Sequence, residues 1–434
     1  MLLHDRAWTV RSTAGALLAA ATVLTGCSGS SAAPDNNTKN PASLPTAVAK
    51  ARADNTAISP AIVVADNTFG LRVLQTLQSQ NSSTNVAISP LSLSLALQIL
   101  YNGAAGDTLA AMTQTLQLGT LTQQQMNEAN AALQAALIGA DPQVELKIAN
   151  SFWVHLDQTP VLPAFTQMDQ NYYGAMMGDL AGAPDNVNAW VANETNGLIP
   201  NILPRRDYST VTAVIANAVY FKGQWTATFD PNSTHSAPFT LSDGTSTPAL
   251  MMQQSGTFAY LRGPDFQMVR LPYGQGRLSM LILLPDPGNS LGSFLTHLTA
   301  AGLDTSVGQL HDAYGSVALP KFAAHSNSDM GPALQALGME VAFHCPESGG
   351  AGPLADFSAL ASEQVCVSSI AHNAWVQVDE MGTVAAAATT ITVVTTSVPQ
   401  QQFAMTIDHP FLYAIRDDDT GALLFIGTLL DPST

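Results

Sequence analysis

The chain has 434 residues, of which 46% are apolar and 11% charged, and a formal net charge of −17. Such an acidic balance disfavours nucleic acid and anionic lipid as partners, since both need Lys and Arg to neutralise phosphate. The length exceeds that of a typical single-core domain, yet no second linker or internal repeat divides the sequence.

The first segment reads as an address. Arg6 and Arg11 precede an apolar run from Ala14 to Val23, too short to span a bilayer but suited to a signal sequence. It ends at Leu24-Thr25-Gly26-Cys27. That tetrapeptide resembles the bacterial lipobox, in which the cysteine is lipidated and becomes the first mature residue. Residues 1–26 are therefore expected to be a lipoprotein signal peptide, with Cys27 carrying the lipid. An ordinary secretory signal is the alternative. The protein should be exported, either anchored outside the cell membrane through Cys27 or extracellular. Residues 27–57 are rich in Ser, Pro and Asn and read as a flexible tether. The folded domain is expected over 58–434.

Along that domain, Asn67 to Gln80 shows helical spacing of Phe69, Val73, Leu74 and Leu77. Ser89 can cap the next helix, with Pro90 at its first position. That helix is apolar nearly all round to Leu100, so it should be central. Leu121 to Leu137 reads as a Gln/Asn/Ala-rich helix without Lys or Arg. Ile148 to Val154 and Asn217 to Trp225 read as strands, and Asn188 to Leu203 as a helix. Ala374 to Asp379 alternates like a half-buried strand. After Glu380 come four alanines (Ala385, Ala386, Ala387 and Ala388), and then β-branched residues from Thr389 to Val394, which favour extended backbone. His409 to Asp417 and Gly421 to Pro432 are two β runs around a turn.

The sequence offers no enzyme motif: no Gly-x-Ser-x-Gly elbow, no His-Glu-x-x-His and no phosphate loop. No catalysis and no cofactor are expected. Of three cysteines, one is assigned to the lipobox. Cys345 and Cys366 can pair in an exported protein, or remain two thiols. Closing the loop of roughly twenty residues between them is worth roughly 3 kcal/mol in the chain-entropy picture. With His344 they make three ligands without a zinc-type repeat, so no metal is expected.

The pattern Glu380-x-Gly382-Thr383-x-Ala385-Ala386-Ala387-Ala388-Thr389 resembles the hinge of the reactive-centre loop of serpins, the serine protease inhibitors. Asn217-Ala218-Val219-Tyr220-Phe221-Lys222-Gly223-Gln224-Trp225 is the most specific match outside that loop. Further matches run in order from about Asn67 to Pro432, and Val384 departs from the family's usual acidic residue. The resemblance implies an α+β fold, with three β-sheets around a large central one, about nine helices and an exposed reactive-centre loop. It implies a hinge at Glu380, Gly382, Thr383 and Ala385 to Ala388. Ser89, Ser92, Asn217 and His372 would form a polar cluster behind two parting strands, and Trp225, Lys321 and Glu380 the upper end of the same seam.

Counting from Glu380 as the family does places the cleaved bond at Thr396-Ser397, with Val394-Thr395 and Thr395-Thr396 as the alternatives. The implied function is suicide-substrate inhibition of a serine protease: the loop is cut, an acyl-enzyme forms, and the loop inserts as a strand. Residues facing the core would then be Thr383, Ala385, Ala387, Thr389, Ile391 and Val393. Small side chains at the cut suit elastase-like or subtilisin-like proteases, with a cysteine protease tolerant of small residues as a further target. A basic heparin face is absent, so no heparin is expected, and the protein is expected to be a monomer. The alternative is a non-inhibitory member acting as a binding or chaperone module.

Overall fold

A computed structural model describes residues 44–346, 352–383 and 400–433. The expected signal peptide and Cys27 lie outside the described residues, as do Ala385, Ala386, Ala387, Ala388, Thr396 and Ser397.

In chain order the first half comprises α1 (Thr46–Asp54), α2 (Pro60–Gln80), β1 (Val86–Ile88), α3 (Pro90–Tyr101), α4 (Gly106–Thr115) and α5 (Gln123–Leu137). Then come β2 (Val144–Val154), α6 (Pro163–Tyr172), β3 (Met176–Asp179), α7 (Asp185–Glu194), β4 (Ala213–Gln224) and β5 (His235–Thr240). The middle holds β6 (Ser246–Arg262), β7 (Phe266–Tyr273), β8 (Leu278–Pro285), α8 (Leu291–His297), α9 (Ala300–Gly308), β9 (His311–Pro320) and β10 (Phe322–Asp329). The chain continues with α10 (Gly331–Leu334), β11 (Ser369–Asp379), β12 (Gly382–Thr383), β13 (Phe403–Thr406), β14 (Phe411–Asp417) and β15 (Leu423–Leu429).

The sequence predicts a tether as far as residue 57, but the compact unit begins at Leu44. Helix α1 occupies part of the expected tether and buries Val48 and Ala51 against Ala131, Ala132 and Ala135 of α5. Only two of its apolar positions face inward, so the periodic signal that marks a helix is faint there. Helix α2 likewise starts seven residues before Asn67, at Pro60, where proline suits the first turn. Helix α7 stops at Glu194 and does not run on to Leu203. Thr195 Oγ1 accepts from the Ile199 amide there, and Gly197 takes φ +80°.

Ten α-helices stand among the described residues. Among the described residues the strands form two hydrogen-bonded networks. A six-stranded sheet runs β10-β11-β12-β4-β2-β3, and a nine-stranded one runs β1-β15-β14-β8-β7-β6-β9-β13 with β5 on β6. Strand β6 joins what would otherwise be two sheets. Its start pairs with β5, its centre with β9 and its end with β7.

Every residue of α3 is buried, as its all-round apolar sequence requires. Burial of each of its leucines contributes about 1.5–3 kcal/mol. Phe221 of the six-stranded sheet meets Tyr273 and Phe425 of the other edge-on, with ring centroids at 5.1 Å and 6.0 Å. The core thus lies between the sheets, with α3 against the inner face of the six-stranded one. Among the described residues no helix is long and apolar enough to cross a membrane.

Candidate functional site

The six-stranded sheet has a seam between β11 and β4. In its lower part the two strands pair directly and in parallel, from Ser369↔Val214 to Trp375↔Tyr220. Above that point a third strand lies between them. The chain leaves β11 at Asp379, turns, and returns as Gly382 and Thr383, antiparallel to both neighbours. Thr383 is opposite Val378 on one side and Gly223 on the other. The hinge is thus two residues deep in the sheet.

The turn is built from local chemistry. Asp379 Oδ1 accepts from the amides of Met381 and Gly382 at 2.9 and 3.2 Å, a side-chain turn that aspartate favours. Gly382 has φ +145°, and a Cβ there would stand 2.1 Å from the Gly223 carbonyl oxygen. Only glycine fits so close to a neighbouring strand in that conformation. Thr383 is fully buried, and its hydroxyl shares a 2.8 Å hydrogen bond with the Tyr273 hydroxyl.

Trp225, just beyond β4, closes the upper end. Its Nε1 donates to the Asp379 carbonyl at 2.9 Å, and its amide donates to the Met381 carbonyl at 2.9 Å. Its ring stacks on Tyr273 at 4.3 Å between centroids. Glu380 accepts from Lys321 Nζ at 2.8 Å and from Thr234 Oγ1 at 2.8 Å. Burial pushes the Glu380 carboxyl upward, but the Lys321 and Thr234 hydrogen bonds outweigh it and hold the group below the usual range. The Lys321 side chain is one-third exposed, so solvent screening limits the pair to about 1 kcal/mol.

Lower in the seam, His372 of β11 is the direct register partner of Asn217 of β4. The Ser89 amide donates to His372 Nε2 at 3.1 Å. An amide can only donate, so Nε2 is the acceptor and the ring proton sits on Nδ1. Nδ1 then donates to Asn217 Oδ1 at 2.6 Å. Asn217 Nδ2 passes the chain on to Ser92 Oγ at 2.6 Å and to Asn150 Oδ1 of β2 at 2.5 Å. Ser89 Oγ accepts from the Ser92 amide, capping α3. Burial without a compensating anion drives His372 down to about 3, so it is neutral. The four predicted residues are thus brought together in one directed network across the seam. All four are buried, which requires such partners.

Tyr273, Thr234, Asp379 and Asn150 also belong to this site, and the sequence reading did not single them out. Tyr273 follows Leu271-Pro272 in a stretch that matches the family. Its role depends on Thr383, 110 residues away, and no local pattern reports that.

Cys345 and Cys366 are joined by a disulfide. Among the described residues no group of His, Cys, Asp and Glu is arranged to hold a metal ion.

A large sheet with a seam, a polar network across it and a two-residue strand entering from one end make up the candidate site. The family model for serpins, described as serine protease inhibitors, matches residues 64–432. The chain belongs to the serpin family. Human Serpin B9 is 33% identical over 380 residues, covering 85% of this chain and 98% of that protein. Human leukocyte elastase inhibitor is 31% identical, covering 85% and 98%. Among solved structures, the thermophilic serpin tengpin in its native state has a TM-score of 0.79 at 27% identity, covering 87% of this chain and 95% of that one. Native protease nexin-1 with heparin has a TM-score of 0.74 at 26% identity, covering 86% and 100%.

Proposed function

We propose that the chain is a suicide-substrate inhibitor, trapping a serine protease as an acyl-enzyme when the cut loop inserts between β11 and β4. The observation that carries this reading is the position of Thr383, already paired with both strands that must part. The registers on its two sides can be extended down the seam. Both assign one residue, Thr389, to the place between His372 and Asn217. Opening the seam breaks the His372–Asn217 bond and leaves a donor and an acceptor without partners. A threonine hydroxyl can accept from His372 Nδ1–H and donate to Asn217 Oδ1. The inserted strand would therefore replace the bond it breaks.

Small residues lead the strand. In the inserted strand Ala385 and Ala387 would follow Thr383 on the core-facing side, where a bulky or charged group would be buried at the first step. The cut falls at Thr396-Ser397. A small β-branched side chain there fits a shallow apolar pocket, which supports an elastase-like or subtilisin-like target. The leukocyte elastase inhibitor, a relative of this chain, bears the name of a protease of that class. The inhibitor acts as a monomer, exported and held outside the membrane by lipid on Cys27. A charge of −17 and an α5 without Lys or Arg support a mode of action without heparin.

The test is incubation with elastase, subtilisin and trypsin, followed by denaturing electrophoresis and mass spectrometry. An SDS-stable complex with elastase or subtilisin, and a released peptide beginning at Ser397, are expected. Cleavage without a complex would contradict the inhibitor, and tight inhibition of trypsin alone would contradict the pocket argument. For the anchor, Cys27→Ala should release the protein from the membrane fraction; an unchanged fraction contradicts the lipid.

A further inference from the structure

Strand β6 is paired along one edge from Met251 to Tyr260, where β9 runs antiparallel to it without a break in register. Its other edge is divided between two strands. β5 covers it as far as Met251, and β7 takes it up only at Ala259. From Met252 to Phe258 no strand among the described residues pairs with that edge.

The alternation of the strand decides which groups face the gap. The Leu250 carbonyl accepts from the Lys321 amide just beyond β9, and the Gly263 amide donates to the Phe266 carbonyl of β7. Successive residues of a strand turn their amide and carbonyl to opposite edges. The even-numbered residues therefore serve β9, and Gln253, Ser255 and Thr257 each present an N–H and a C=O to the gap. Ser255 and Thr257 are exposed. They line a cavity of about 460 Å³ together with Trp225, Phe229 and Leu271. Gln254 Nε2 donates to the Ala227 carbonyl at 3.1 Å, which holds the segment 225–229 beside β6 through a side chain and not through a strand ladder.

One charge stands at the cavity. Asp312, the register partner of Ala259, lines it, is exposed and makes no ion pair among the described residues. Arg270, on the other side of Ala259, is already paired with Asp418 at 2.8 Å.

We propose that this gap is a docking site for an extended peptide segment of a partner protein, which adds as a strand to β6 and sets a Lys or Arg against Asp312. Donor and acceptor pairs that recur at every second residue, about 6.8 Å apart, are matched by another extended backbone. A compact ligand meets one pair and leaves the others. The apolar wall of Trp225, Phe229 and Leu271 takes small or β-branched side chains. That wall also reaches the hinge: Trp225 Nε1 donates to the Asp379 carbonyl and the Phe229 amide to the Glu380 carbonyl, both at 2.9 Å. A peptide packed on these two rings therefore stiffens the turn they hold. The inference stands apart from the insertion reading.

The experiment titrates the full chain with acetyl-Lys-Val-Thr-Val-amide, which lying antiparallel to β6 places its lysine toward Ala259 and Asp312. Binding is read by tryptophan emission and by amide hydrogen exchange at Ser255, Thr257 and Phe229, with His372 and Asn217 of the seam as controls. Saturation should slow exchange at Ser255 and Thr257 by about tenfold and slow Phe229 with them, leaving His372 and Asn217 unchanged. Asp312→Asn should weaken binding about threefold, as loss of an exposed ion pair does. Ser255→Pro removes an N–H that only the gap uses, so it spares the β9 ladder and should weaken binding about tenfold. Unslowed exchange at Ser255 and Thr257 in the wild type at about 1 mM peptide overturns the site, whether or not the variants fold. Slower exchange at His372 and Asn217 in their place shows the peptide in the seam and overturns it too. Wild-type affinity in a folded Ser255→Pro variant overturns the added strand, and unchanged exchange at Phe229 overturns the link to the hinge.

Discussion

The hydroxyls of Thr383 and Tyr273 stand 2.8 Å apart inside the central sheet, and that one bond satisfies the only polar atom the inserted hinge side chain brings with it. Tyr273→Phe removes it and leaves the Thr383 hydroxyl buried without this partner. Loss of about 1 kcal/mol follows, enough to raise the share of molecules with the hinge expelled by about fivefold. Trp225 stacks on the same ring, so tryptophan emission should change with the hinge. The rate of association with the target protease should rise with it. A folded variant with wild-type emission and rate contradicts this role for Tyr273.

Thr383→Arg tests the same position by charge. The guanidinium cannot remain between Val378 and Gly223 without being buried unpaired, which costs several kcal/mol. The variant should fold with its hinge expelled and be cleaved by the protease without forming a complex. Efficient complex formation by Thr383→Arg would falsify the view that insertion begins at this residue.

Thr389→Val keeps the shape of the side chain and removes its hydroxyl. Insertion would then leave His372 Nδ1–H and Asn217 Oδ1 unmatched, at a cost of about 1–3 kcal/mol in the inserted state. The uncleaved protein should melt as the wild type does, whereas the cleaved protein should melt lower than cleaved wild type. Equal melting of the two cleaved forms contradicts the assigned register.

Stability against pH should show two opposed contributions. His372 is held neutral, down to about 3, so its contribution is complete above the ordinary histidine value of 6.5 and is lost as pH falls toward 3. Glu380, held low, acts in the same direction below its ordinary 4.5. Asp66 is the reverse. It is buried without a cation, accepting from Ser94 Oγ at 2.5 Å and Gln98 Nε2 at 3.1 Å, and burial pushes it up to about 7. Its contribution is complete below its ordinary 3.8 and is lost as pH rises to about 7. In urea unfolding, His372→Gln should flatten the loss of stability on acidification between 6.5 and 3. Asp66→Asn should remove the loss on raising pH from 3.8 to 7, so its stability climbs more steeply with pH than that of the wild type. Parallel curves for wild type and both variants contradict the assignment.

Much of this was legible in the sequence, for physical reasons. The capping Ser89, Pro90 and an apolar run mark α3 because the signals are local. The alternation around Trp375 marks the upper part of β11, where one face is half-buried. The lower part of that strand is buried on both faces and shows no alternation. The polar network could be named only through resemblance, since Ser89 and His372 are 283 residues apart. Helix α1 was hidden because four of its nine residues are alanines and only Val48 and Ala51 turn inward. The entry of Gly382 and Thr383 into the sheet was hidden for a different reason. The same small and β-branched residues suit a loop about to insert and a strand already begun, and the choice depends on Tyr273 and Gly223.

The central claim is that the severed loop becomes a strand between β11 and β4. Cutting it in the full chain with a small amount of protease, removing the protease, and comparing melting temperatures before and after tests this most directly. A strand filling the seam from Thr383 downward should raise the melting temperature by about 10 °C or more. An unchanged or lower melting temperature after complete cleavage would contradict insertion.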